Sequence, residues 1–302
     1  MLIPLIHEVG MRDGLQMEQK IVEFDHKVRW IEGLIGSGIP VIQLGSFVHP
    51  KYVPQMADTD ALFRHFTAKG GKRPTFSGLV LNEKGMERGL ACGVDLFCLG
   101  VSASETHSLK NTRMPVMEAL ERILAMARTL QQEGRKVQVS VQSAFGCGFE
   151  GPIAEAKVLS IVDAYLEAGL KNISLADTAG HADPRQVASL FSQVIRRGDS
   201  IECTCHLHNT FGMGIANCLA AYDSGVQVFE SAFGGLGGCP FTAVAGGNVA
   251  TEDLVHMFSR LGIETGIDLD PVIATSREAA DQLEHDLPGC VYKTGPISFQ
   301  QA

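Results

Sequence analysis

The sequence predicts an α/β fold, a closed (β/α)8 TIM barrel with a short C-terminal helical extension. Three observations carry the prediction. Eight apolar runs of strand length recur along the 302 residues, amphipathic segments of helix length separate them, and no Pro/Gly/Ser-rich linker divides the chain. The runs are Leu2–Val9, Pro40–Phe47, Thr75–Leu81, Leu96–Ser102, Lys136–Ser143, Asn172–Asp177, Ile201–His208 and Val226–Phe233. Among the intervening segments, Ala154–Gly169 places Val158, Ile161, Val162, Tyr165 and Leu166 at helical spacing, with Gly169 as the stop. Pro115 and the Asp183-Pro184 pair stand where helices should begin, because proline suits the first turn and aspartate can cap it. Parallel strands joined by crossover helices bury both faces, and eight such units close into one barrel, expected over residues 1–266. Residues 267–302 are expected to form an extension packed on the barrel.

Composition narrows the function. The chain is 45% hydrophobic and 20% charged, enough to bury a large core. A net charge of −9, with no local cluster of lysines and arginines to offset it, argues against a nucleic-acid partner. Eight cysteines lie scattered at 92, 98, 147, 203, 205, 218, 239 and 290 without a C-x-x-C pair, the usage of reduced thiols inside a cell. The first residues lack the basic lead-in and apolar length of a secretory signal, and no stretch approaches the roughly 18 apolar residues of a membrane span. The expectation is a soluble, cytoplasmic protein with no membrane partner.

Barrel enzymes place their chemistry at the C-terminal ends of the strands, and the polar residues here follow that rule. Arg12 and Asp13 follow the first run, Gln43 and Ser46 end the second, Ser174 and Asp177 end the sixth, and His206 and His208 end the seventh. In a strand, residues two apart share a face, so the two histidines of "CTCHLHNT" converge. A glycine-rich loop, "GGLGGCPFTAVAGGN", follows the eighth run and carries Cys239 and Asn248. Taken singly, each feature has a plainer reading. Asp13 could pair with Arg12, Asn248 could cap a helix Val249–Leu261, and Cys239 could be a small hydrophobe. Together, two imidazoles, one carboxylate and one amide carbonyl make a mixed N/O set suited to Mg²⁺ or Mn²⁺.

The runs "EVGMRDGLQ", "SFVHPKYVPQMAD", "ISLADTAG", "CHLHNTFGMGIAN" and "GGLGGCPFTAVAGGNVATEDLV" closely resemble 3-hydroxy-3-methylglutaryl-CoA (HMG-CoA) lyases, a family of metal-dependent barrel lyases. The resemblance spans His7 to about Gly266. It implies metal ligands at Asp13, His206, His208 and Asn248, and an enolate-stabilising Arg12. It further implies a catalytic Cys239 on a mobile loop and acid/base assistance from Asp177. Gln16, Gln43, Ser46 and Ser174 fall at substrate-facing positions, the two serines where the family holds the substrate's free carboxylate. Lys20, Asn82 and Lys84 are candidate contacts to CoA phosphates. A homodimer and an acyl-CoA substrate are likewise implied.

One position departs from the family. The second run reads "VIQLGSF", with Gln43 where relatives carry glutamate. A neutral amide removes a negative charge beside Arg12, yet can still accept a hydrogen bond from it. The lost charge leaves open a related substrate such as citramalyl-CoA, split to acetyl-CoA and pyruvate. A condensing acyltransferase and a non-catalytic acyl-CoA binder are the remaining alternatives. The first is weakened by the short C-terminal remainder, the second by the complete ligand set.

Overall fold

In the computed structural model, which describes residues 3–68, 70–71, 73–238 and 247–297, the eight runs form the eight strands of one closed parallel barrel. They are β1 (Leu5–Glu8), β2 (Val41–Ser46), β3 (Thr75–Leu79), β4 (Leu96–Ser102), β5 (Lys136–Gln142), β6 (Asn172–Asp177), β7 (Glu202–Leu207) and β8 (Val228–Ser231), and β8 closes the sheet by pairing with β1. The expected runs overshoot most at β1 and β8, because flanking apolar residues such as Val9 and Phe233 enter the core from turns instead of strands.

Around the barrel lie α1 (Phe24–Gly36), α2 (Thr59–Thr67), α3 (Glu83–Cys92), α4 (Glu105–Thr112), α5 (Val116–Gln132), α6 (Glu155–Glu167), α7 (Pro184–Ile195), α8 (Gly214–Asp223) and α9 (Thr251–Arg260). The start of α7 is as its sequence implies. The Asp183 side chain accepts from the amides of Arg185 and Gln186 at 2.8 and 3.1 Å, and Gln186 returns a bond to the Asp183 amide. Beyond the barrel, α10 (Leu269–Leu283) packs on α1, and α11 (Val291–Thr294) packs on α9, where Asp253 accepts from the Val291 amide at 2.7 Å. No helix among the described residues is long and apolar enough to cross a membrane.

Strand parity divides the side chains. On β7, Cys203, Cys205 and Leu207 join the hydrophobic core, while Thr204 and His206 point into the barrel. On β5 the same alternation turns Gln138, Ser140 and Gln142 inward.

Two buried acids hold the segment that follows β8. The Glu8 carboxylate accepts from the amides of Gly10 (2.6 Å) and Phe233 (3.1 Å) and from the Thr251 hydroxyl (2.6 Å). Both oxygens of Glu252 accept from the Gly234 amide, at 3.1 and 3.0 Å. Burial pushes the Glu8 carboxyl up to about 7 and the Glu252 carboxyl up to about 8, outweighing these hydrogen bonds. A carboxyl whose native pKa is raised binds its proton more tightly folded than unfolded. Its stabilisation is therefore complete below about pH 4.5 and is lost as pH rises through about 7 to 8. Glu252→Gln should flatten the melting-temperature profile between about pH 6 and 9 relative to the parent. A profile of unchanged slope would show that Glu252 does not titrate in this way.

Candidate metal centre and active-site cavity

The site begins where β1 ends. Residues Gly10–Gly14 form a π-helical turn in which the amides of Arg12, Asp13 and Gly14 all reach the Val9 carbonyl, at 3.0, 2.8 and 3.4 Å. The turn lies flush on the chain after β8. A Cβ on Gly10 would stand 2.6 Å from the Phe233 ring, and one on Gly14 would stand 2.8 Å from Leu236 Cβ. This packing sets Arg12 and Asp13 side by side on the floor of a cavity of about 460 Å³ at the C-terminal ends of the strands.

Asp13 is the hub of this floor. Its Oδ1 accepts from Arg12, which also donates through Nε to Gln43 Oε1, so the neutral amide keeps the hydrogen bond expected of it. Its Oδ2 lies 3.7 Å from His206 Nε2 and 3.6 Å from His208 Nε2, and accepts from Asn248 Nδ2 at 2.9 Å. Burial alone would raise the Asp13 carboxyl, but Arg12 and the two histidines reverse this and hold it well below the usual carboxylate range.

Glu230, on β8, orients His206 by accepting from its Nδ1 at 2.8 Å. With Nδ1 engaged, the His206 Nε2 lone pair faces His208 Nε2 at 3.1 Å. Two imidazole nitrogens this close, beside a carboxylate, can share either a proton or a cation. Burial works against a charged His206, yet the Glu230 hydrogen bond and the Asp13 and Glu230 charges prevail and raise its pKa. The ligand atoms of Asp13, His206 and His208 lie within 4.8 Å of one another, and all three residues are buried. A buried Asn248 Oδ1 has no hydrogen-bond partner among the described residues, as suits an additional oxygen ligand. This donor set of nitrogen and oxygen without thiolate fits a divalent metal.

Asn248 reaches the site by a route that spacing does not reveal. It pairs as an antiparallel bridge with His208, and Ala250 bridges Ala232 at the end of β8. The strip from Gly247 to Ala250 thus spans the mouths of two strands. Helix α9 starts only at Thr251, so Asn248 is not its cap.

Gln16, Gln43, Ser46 and Ser174 all line the cavity with Arg12 and Asp13. The Ser174 hydroxyl is buried without a hydrogen-bond partner among the described residues, and Ser46 Oγ accepts from the Val48 amide at 3.3 Å. Asp177, expected to assist as an acid or base, makes its hydrogen bonds to the turn after β6. Ser174, Ala176 and Thr178 face the cavity, so Asp177 points the other way, and its two oxygens accept from the amides of His181 (2.8 Å) and Ala182 (3.0 Å). Burial raises its carboxyl, opposed by the Ala182 and His181 amides and by the charge of nearby His208, and the side chain organises the turn after β6. Lys20 and Asn82 have internal partners. Lys20 bonds Glu284 and the Gln282 carbonyl, both at 2.6 Å, and Asn82 caps α3 through the Gly85 amide. Lys84 is exposed on α3. None of the three lines the cavity. Cys239 lies outside the described residues; its neighbour Gly238 is part of the cavity wall. Missed altogether were Glu230 and the inward face of β5. The period-two polar pattern of "KVQVSVQ" and the lone acid in "VFES" were the available signals.

Comparison with known proteins decides the family. Residues 4–278 match the HMGL-like family model. The chain belongs to the HMG-CoA lyase family. Over 300 residues it is 39% identical to the (R)-citramalyl-CoA lyase of Chloroflexus aurantiacus, covering 97% of this chain and 95% of that one. It is 33% identical to the hydroxymethylglutaryl-CoA lyase of Bacillus subtilis, covering 94% of each. A solved HMG-CoA lyase from Acinetobacter baumannii, in complex with coenzyme A and 3-methylmalate, superposes with a TM-score of 0.93 at 40% identity, over 99% of this chain and 97% of that one. Like these relatives, the HMG-CoA lyase family member described here is a lyase on a (β/α)8 barrel.

His206→Ala and His208→Ala should each abolish Mn²⁺ binding measured by calorimetry while leaving far-UV circular dichroism unchanged. Binding retained in both variants would refute the ligand assignment.

Proposed function

We propose that this protein is a divalent-metal-dependent carbon–carbon lyase that cleaves 3-hydroxy-3-methylglutaryl-CoA to acetyl-CoA and acetoacetate, with Mg²⁺ or Mn²⁺ as the ion. The observation that carries the reading is the convergence of Asp13, His206 and His208 with Arg12 on one buried cavity floor. Its support from comparison is a family of acyl-CoA lyases and a relative solved with coenzyme A.

The chemistry assigns each residue a task. Cleavage removes the proton of the tertiary hydroxyl, breaks the bond between the carbinol carbon and C2, and leaves the bonding pair on the acetyl-CoA enolate. Asp13, His206, His208 and Asn248 would hold a divalent ion, which would supply Lewis acidity toward that hydroxyl. Arg12 supplies a guanidinium on the same cavity floor. Fixed by Gln43 and Asp13, it presents its charge to the thioester oxygen as negative charge gathers there, a contribution of about 3 kcal/mol for such a donor. The partnerless Ser174 hydroxyl offers a hydrogen bond to the free carboxylate. Cys239 is assigned protonation of the enolate carbon, in a segment that the chain enters directly from the cavity wall at Gly238. Asp177 is assigned no contact with substrate.

Gln43 favours a second reading, in which the substrate is citramalyl-CoA and the products are acetyl-CoA and pyruvate. Citramalyl-CoA carries its carboxylate on the carbinol carbon itself, one methylene closer to the floor. With glutamate at 43 that carboxylate would meet a second negative charge beside Asp13; with Gln43 it meets a neutral amide already oriented by Arg12. Two relatives lend support, one a citramalyl-CoA lyase and one solved with the short diacid 3-methylmalate.

A side-by-side turnover assay with both thioesters, with Mn²⁺ and with chelator, separates the two. Acetoacetate as main product supports the first reading, pyruvate the second, and no metal-dependent acetyl-CoA from either would overturn both. Gln43→Glu should shift the ratio of the activities toward the methylglutaryl thioester by about tenfold, the scale of one lost or gained charge contact. An unchanged ratio would remove Gln43 as a specificity determinant.

A further inference from the structure

We propose that His7 is a positioning residue of the metal centre that acts through Glu230 on His206, an inference that rests on the metal-site reading above. In the barrel register His7 of β1 pairs with Glu230 of β8, and Glu230 pairs with His206 of β7. Three neighbouring strands therefore bring the three side chains to one level inside the barrel. Glu230 divides its oxygens between the two histidines: Oε2 accepts from His206 Nδ1 at 2.8 Å, and Oε1 faces His7 Nδ1 at 3.3 Å. The far side of the His7 ring is taken as well, with Nε2 2.7 Å from the Ser77 hydroxyl of β3. All four side chains are buried.

A carboxylate held by one donor can rotate and exchange its oxygens; one held by a donor on each oxygen cannot. His7 supplies that second donor, and Ser77 fixes which His7 nitrogen carries the hydrogen by donating to the other. Glu230, so pinned, keeps hydrogen on His206 Nδ1 and leaves the Nε2 lone pair aimed at Asp13 and His208. His7 does not line the cavity, and Glu230 is its link to the site. A residue so placed controls how well the floor holds an ion without touching substrate.

The test is Mn²⁺ affinity of the full chain by calorimetry, with thermal unfolding of the metal-free protein recorded in parallel. His7→Leu removes the donor and should weaken Mn²⁺ binding about tenfold, the scale reported for partners that orient metal ligands. His7→Gln offers a donor and an acceptor at similar reach and should recover most of that loss. In a Glu230→Gln background, His7→Leu should have little further effect, because the path runs through the carboxylate. Ser77→Ala probes the chain from its far end, should His7→Leu fail to fold, and should weaken binding about threefold. A merely structural role would lower the melting temperature of these variants and leave the affinity of the folded protein at the parent value. That outcome, or a His7→Leu loss fully additive with Glu230→Gln, would overturn the proposal while leaving the metal site intact. A parent protein that binds no Mn²⁺ would overturn the metal site and this inference together.

Discussion

Everything on the cavity floor answers to one buried negative charge, the Asp13 carboxylate. A carboxylate removed from water is costly unless positive partners surround it. Arg12 supplies one from the adjacent position in the chain, and the π-helical turn after β1 is what allows two consecutive side chains to face the same cavity. The remaining demand for positive charge falls between Asp13 and two imidazoles whose Nε2 atoms face each other at 3.1 Å. A divalent ion held there would satisfy the carboxylate and both nitrogens at once. The glycines of the turn, the strip that carries Asn248 and the Glu230 contact to His206 are all arrangements that keep this cluster close.

The barrel makes such a cluster possible because side chains alternate along its strands. Every second residue of a strand faces the interior, so closing eight short strands collects polar groups from distant parts of the chain onto one floor. The same rule gives the cavity its wall character. Gln43, Gln138, Ser140, Gln142 and Ser174 are neutral hydrogen-bonding groups, and the fixed charges lie at the Arg12, Asp13 and Glu230 side. A substrate with a free carboxylate is met by hydroxyls and amides and not by a second arginine. Gln43 thereby marks the boundary between the charged floor and the neutral wall.

Most of the fold was legible because the strands are short and apolar and the connections carry ordinary helix signals. Asn172–Asp177 and Leu96–Ser102 coincide with β6 and β4 residue for residue. Asp13, His206 and His208 were legible for the same reason, as polar residues at strand ends with the spacing of one face. Asn248 was a candidate from its place in the glycine-rich loop and from family resemblance, but its approach depends on a backbone bridge to His208 that no local pattern encodes. On β6 Ser174 lines the cavity while Asp177 accepts from the amides of His181 and Ala182, turn contacts that no local sequence pattern announces. The lysine and asparagine offered to CoA phosphates were solvated-surface residue types, and the structure gives Lys20 and Asn82 internal hydrogen bonds instead. His7 escaped notice because a histidine inside an apolar run reads as part of the core until its partner on the eighth strand is known.

The central claim, that Asp13, His206 and His208 converge in order to hold a cation, is tested most directly by crystals grown with Mn²⁺ and measured for anomalous scattering. The account predicts one strong peak on the cavity floor at ligand distance from the Asp13 carboxylate and both Nε2 atoms, with the Asn248 amide turned so that its oxygen completes the set. A floor without a peak, or an ion bound away from these residues, would contradict it.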